Sequence, residues 1–182
     1  YEGVVQYPFG YGMSYTSFSQ KIVSAEEKDG VVNFEVEVTN TGDTYAGKDV
    51  IQLYCEVPYT QGGTEKSKVV LAAFEKTDVL QPGETKNYNL SVALEDVASY
   101  DETAADGKGA YILDAGAYEF YLSENAHSWS DIETQDTEKC YEYALDSQIV
   151  YDESNKRSSD QTAASNQFAD AKNDIPTLSR AD

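Results

Sequence analysis

The chain has 182 residues, 40% of them hydrophobic, which is enough for one ordinary domain with a core and tails. Its formal charge of -20 at pH 7 repels the phosphates of nucleic acid and the anionic face of a bilayer, so neither is expected as a partner. The carboxylates are spread along the chain as a solvated surface without calcium-loop spacing, and the two cysteines, Cys55 and Cys140, form no CxxC pair, so no metal or other cofactor is expected.

The stretch opens on Tyr1-Glu2-Gly3-Val4-Val5, with neither an initiating Met nor the basic and apolar regions of a signal peptide. No apolar run approaches the roughly 20 residues that a membrane-spanning helix needs. It reads as a piece of a longer protein; the compartment stays open, with the cytoplasm favoured over secretion.

The first clear strand begins at Val31, where Val32, Phe34, Val36 and Val38 alternate with Asn33, Glu35, Glu37 and Thr39. Asn40-Thr41-Gly42-Asp43 supplies turn chemistry, and a second half-buried strand follows, with Ile51, Leu53, Cys55 and Val57 alternating with Gln52, Tyr54 and Glu56. Residues 58–67 contain Gly62-Gly63 and no period, so they read as a long flexible loop before the apolar run 69–74. In Leu80-Gln81-Pro82-Gly83-Glu84, Pro fixes one φ and Gly takes a positive one, as a type II turn requires. Another strand emerges from it with Tyr88, Leu90, Val92 and Leu94 on one face.

Turn residues at 106–109 and 114–116 punctuate two shorter segments, 110–113 and 118–122, and residues 141–150 supply a last strand. About seven short strands with frequent turns predict an all-β, antiparallel, immunoglobulin-like β-sandwich. Beyond Tyr151 the composition turns polar, with Ser158-Ser159-Asp160 placed to cap a short helix over 161–171. The tail 152–182 holds too few apolar residues to fold alone, so it is expected to lie on a neighbouring domain.

The opening Tyr7-Pro8-Phe9-Gly10-Tyr11-Gly12-Met13-Ser14-Tyr15-Thr16-Ser17-Phe18 resembles the PFGxGLSYT-F signature of family 3 glycoside hydrolases. Val36-Glu37-Val38-Thr39-Asn40-Thr41-Gly42, Gly47-Lys48-Asp49-Val50-Ile51-Gln52-Leu53-Tyr54, Phe74-Glu75-Lys76, Leu80-Gln81-Pro82-Gly83-Glu84 and Gly116-Ala117-Tyr118-Glu119-Phe120 follow in order, so the likeness runs from about Tyr7 to Ala126. It implies a fibronectin type III-like β-sandwich over 15–151, with 1–14 at the junction to a preceding α/β sandwich domain. Asn166 to Ala171 and Thr177 to Asp182 are similar to the segment entering the (β/α)8 barrel in members with permuted domain order, so 152–182 is expected to be a linker toward that barrel.

The resemblance implies a retaining, β-glucosidase-like parent enzyme acting on terminal β-linked sugars. Retention needs two carboxyl groups roughly 5 to 5.5 Å apart, and by the resemblance both lie in the other domains, so no catalytic residue is assigned here. The expected partners are the catalytic barrel and α/β sandwich domains of the same enzyme, which also hold the carbohydrate substrate. A carbohydrate-binding module and an adhesin-like or homodimerising sandwich are the alternatives.

His127, with Ser128 beside it and Asp131 nearby, lacks the GxSxG elbow of a hydrolase triad and is read as a surface His. Tyr45, Tyr54, Tyr59 and Trp129 are read first as buried or interface aromatics, with stacking on sugar from outside the core as the alternative, and Tyr59 and Trp129 are the candidates for sugar or interface contact. The cysteines are expected to be free thiols.

Overall fold

The computed structural model describes residues 4–162 and 179–180. Ten strands form three antiparallel sheets: β1 (Phe18–Lys28), β2 (Val31–Asn40) and β5 (Thr85–Ala93) in one, and β3 (Val50–Glu56), β4 (Val69–Lys76), β8 (Gly116–Leu122) and β9 (Cys140–Leu145) in the second, in the order β4-β3-β8-β9. The third and smallest holds β6 (Ser99–Asp101), β7 (Ala110–Leu113) and β10 (Ile149–Tyr151). It continues the second: Gly116 pairs with Leu145 and Leu113 with Ile149, so Asp114-Ala115 faces the longer Asp146-Ser147-Gln148 across a bulge that redirects both strands.

The alternating strands deliver their apolar faces to one core. Val32, Phe34, Val36 and Val38 of β2 are at most 1% exposed, and Tyr88, Leu90 and Val92 of β5 lie beside them. Across the core stand Ile51, Leu53 and Cys55 of β3 with Tyr118, Phe120 and Leu122 of β8. The Phe34 ring bridges the sheets, 5.4 Å from Phe120 and 5.7 Å edge-on to Tyr141. Each such buried side chain contributes roughly 1.5–3 kcal/mol relative to exposure. At the start of β8 the Tyr118 hydroxyl donates to the Asp114 carbonyl oxygen four residues upstream at 3.0 Å, the tyrosine corner of immunoglobulin-like sandwiches.

The turn at 81–84 forms as its residues require: Glu84 N–H donates to Gln81 O at 2.9 Å and Gly83 takes a φ of 76°. Strand β3 departs from the half-buried expectation, since Gln52 and Tyr54 on its second face are also buried, 5% and 2% exposed. The segment before β1 and the chain after β8 cover that face. The apolar period also left β1 and β6 unmarked: β1 is an edge strand with Ile22 as its one buried residue and a bulge at Val23.

Residues 152–162 run along the third sheet. Arg157 stacks on Tyr111 at 3.8 Å, and Glu95 accepts hydrogen bonds from Ser158 N–H (2.8 Å), Ser158 Oγ (2.5 Å) and Ser159 N–H (3.0 Å). Ser158 and Ser159 therefore serve Glu95, Asp160 Oδ1 accepts the Thr162 N–H at 2.9 Å, and Gln161 and Thr162 are not helical. The remainder of the expected helix, and nearly all of the two tail stretches that resemble a barrel entry, lie outside the described residues.

Candidate docking face

The segment ahead of β1 crosses the outer face of β3 and is fixed there by backbone and amide contacts. Gln52 Nε2 donates to the carbonyl oxygens of Glu124 (2.7 Å) and Gly10 (3.4 Å), and its Oε1 accepts the Tyr54 hydroxyl at 2.8 Å. Ala126 N–H donates to Phe9 O at 2.9 Å. Gly10 has a φ of 86°, and a Cβ there would stand 2.1 Å from Gln52 Oε1, so only glycine fits. A cleft of about 470 Å³ remains beside this segment, with Tyr11, Met13, Lys48, Asp49, Gln52 and Asn125 among its walls.

The same segment turns its large side chains outward. Tyr7 is 66% exposed, Phe9 71%, Tyr11 51%, Met13 91% and Tyr15 93%. Tyr7 and Tyr11 lie 5.2 Å apart, and Tyr15 meets the exposed Tyr45 edge-on at 6.3 Å. A backbone held rigidly against the sandwich with aromatics facing away has the form of a surface that another folded unit covers.

The two candidate aromatics lie elsewhere. Trp129 is 9% exposed, packed 5.6 Å from Tyr121 with Cys140, Val69 and Ile132 around it and the Lys68 Nζ 4.9 Å from its ring. Little of that ring is left for a sugar. Tyr59 is half-buried, its hydroxyl donates to Glu65 Oε1 at 3.1 Å, and the Arg180 guanidinium lies 4.9 Å from its ring. Of the other two aromatics, Tyr45 is exposed and Tyr54 is buried.

The loop 58–67 is anchored at its base and along one side. Lys66, its side chain 4% exposed, is paired with Asp114, and Thr64 Oγ1 donates to Asp101 Oδ2 at 2.6 Å. Asp114 also accepts Gln148 Nε2 at 2.8 Å. The flexible loop of the sequence reading thus has ordered flanks, and its exposed tip is 60–63.

Ser128 Oγ accepts Asn125 Nδ2 at 2.5 Å. Among the described residues no group of three or more His, Cys, Asp or Glu side chains is placed to hold a metal ion, and no helix is long and apolar enough to cross a membrane. Both cysteines are free and buried. Cys55 pairs across strands with the core residue Phe120 and Cys140 with its neighbour Tyr121, so the thiols point to opposite faces of one sheet.

A family model described as "Fibronectin type III-like domain" matches residues 49–126. The chain is a fibronectin type III-like domain of the family 3 glycoside hydrolase type. This domain is 37% identical over 150 residues to a β-glucosidase of Ruminococcus albus, covering 82% of the chain and 15% of the relative. It is 34% identical over 168 residues to β-glucosidase A of Butyrivibrio fibrisolvens, covering 84% of the chain and 19% of the relative. The crystal structure of a β-glucosidase from Kluyveromyces marxianus in complex with glucose superposes with a TM-score of 0.69 at 28% identity, over 82% of this chain and 16% of that one. The fibronectin-like domain therefore spans under a fifth of the relatives it matches, each a much longer enzyme chain.

Proposed function

We propose that this domain is the non-catalytic support of a retaining, β-glucosidase-like enzyme for terminal β-linked glycosides, and that it seats the catalytic domains on the aromatic segment around Tyr7 to Tyr15. Residues 1–14 then form the junction to a preceding α/β sandwich domain, and 152–182 lead toward a (β/α)8 barrel. The observation that carries this reading is the outward row Tyr7, Phe9, Tyr11, Met13 and Tyr15 on a backbone pinned to β3. Buried in an interdomain contact, the exposed part of these side chains would contribute roughly 25 cal/mol per Å² of apolar surface removed from water, less the cost of ordering the contact.

The test is made in the full-length enzyme with Tyr7, Phe9 and Tyr11 changed together to Ser. Activity on an aryl β-glucoside and the melting temperature should both fall while the sandwich keeps its far-ultraviolet spectrum. Full activity with an unchanged melting temperature overturns the docking role. Titrating the isolated domain with cello-oligosaccharides while following Trp129 fluorescence addresses the binding-module alternative, for which a saturable shift is the signature. Sedimentation of the same sample addresses a homodimer: a concentration-dependent dimer abolished by the triple Ser variant would give the aromatic segment to a second copy.

A further inference from the structure

We propose that the loop 58–67 and the end of β3 form a socket for an arginine side chain, and that the chain's own Ser179-Arg180 fills it, tying the tail to this loop. Arg180 Nη2 lies 3.3 Å from Glu56 Oε1, its Nη1 donates to the Val57 carbonyl oxygen at 3.3 Å, and the guanidinium is 4.9 Å from the centre of the Tyr59 ring. The backbone N–H of Arg180 donates to Glu65 Oε2 at 2.9 Å, and Ser179 Oγ donates to Glu65 Oε1 at 2.7 Å. Only 19% of the Arg180 side chain remains exposed.

The chemistry selects arginine. A planar guanidinium can lie beside an aromatic ring while its separate N–H groups reach a carboxylate and a carbonyl at once, which a lysine ammonium cannot do in this geometry. The charge around the socket favours a cation: Glu119 pairs with Glu56 across β3 and β8, so acidic groups outnumber Lys68, the one other cation among the described residues that reaches Glu56. The walls are braced by the sandwich as well as by the tail. Glu65 is held by the Tyr59 hydroxyl, and its neighbours Thr64 and Lys66 are bonded to Asp101 and Asp114. The bonds to the tail also leave their mark on Glu65, whose carboxyl is held below its usual range by the Arg180 N–H first and the Ser179 hydroxyl second.

The consequence is that residues 179–180 are fastened next to the loop tip at 60–63 and act with the loop as one unit. This holds whether or not the parent is a β-glucosidase.

Hydrogen exchange of the whole 182-residue chain, read by mass spectrometry, tests the socket. In Arg180→Ala the peptides covering 58–67 should exchange roughly tenfold faster while β2 is unchanged, and Arg180→Lys should recover only part of the protection. Glu65→Ala, which leaves the tryptic bond after Arg180 intact, should speed trypsin cleavage there by roughly tenfold. Unchanged loop exchange in Arg180→Ala, full protection in Arg180→Lys, or unchanged cleavage in Glu65→Ala overturns the proposal. So does faster exchange of β2 in Arg180→Ala, because Arg180 would then support the whole fold rather than fasten the tail locally.

Discussion

Thr16 Oγ1 donates to Asn40 Oδ1 at 2.6 Å, which fastens the segment before β1 to the end of β2. Asn40 is fully buried, its Nδ2 donates to the carbonyl oxygens of Tyr45 and Leu80 at 2.9 Å each, and its Oδ1 also accepts the Gly42 N–H at 3.1 Å. Glycine is needed at the neighbouring position, because a Cβ on Gly42 would stand 2.1 Å from Thr16 Oγ1. One amide therefore joins the family signature, the turn after β2 and the turn before β5.

Replacing Asn40 by Ala should cost about 2–4 kcal/mol in urea unfolding, because the Tyr45 carbonyl loses the Asn40 amide, the Leu80 carbonyl keeps only the Gly47 N–H, and the Thr16 hydroxyl and Gly42 N–H lose their acceptor. Asn40→Asp should not rescue the loss, since a carboxylate has no N–H to offer them. Thr16→Ala should cost about 1 kcal/mol, as one neutral hydrogen bond does.

Lys66 is a buried ammonium whose partner Asp114 is 29% exposed. Lys66→Ala should destabilise the domain by roughly 2 kcal/mol and loosen the loop 58–67, less than the loss of a fully buried pair because Asp114 keeps Gln148 and water. Urea unfolding together with hydrogen exchange of the loop measures both effects.

Burial raises the pKa of both thiols, with nearby carboxylates adding to the effect, and pushes Cys140 up to about 11. Neither should react appreciably with iodoacetamide at pH 8 in the folded chain, and both should be alkylated together in denaturant. Intact mass after a timed reaction reads the outcome; rapid native alkylation of Cys140 would show that the pocket around Trp129 opens readily.

Glu95 titrates below its usual range: burial raises it, but the hydrogen bonds from Ser158 and Ser159 outweigh that. A carboxyl with a depressed folded pKa contributes stability above its ordinary pKa of 4.5 and loses it as pH falls through the folded value. The strap 152–162 should therefore stay attached at neutral pH and detach first below that range. The amide signals of Ser158 and Ser159 in a pH series should move before those of β2.

The sandwich was legible wherever burial obeys a period of two, as in β2 and β5, where Val32, Phe34, Tyr88 and Leu90 face the core as the alternation predicts. The second face of β3 was not, because Gln52 is met by Gly10, 42 residues earlier, and by Glu124, 72 residues later, and no local pattern records such a cover. Strand β1 escaped for a related reason: an edge strand with a bulge at Val23 has no unbroken apolar face. The segment ahead of β1 was marked in the sequence by the signature Tyr7 to Phe18. The signature did not show which side chains turn outward. Tyr59 was picked out as an aromatic in a loop, but its partner Arg180 is 121 residues away, a contact that only the folded chain reveals.

The most direct test of a supporting domain without chemistry of its own is to assay the purified 182-residue chain, shown by circular dichroism to be folded β-structure, against an aryl β-glucoside beside the full-length enzyme. Hydrolysis by the full-length enzyme and none above buffer by the isolated domain is the predicted result. Turnover by the domain alone would contradict it.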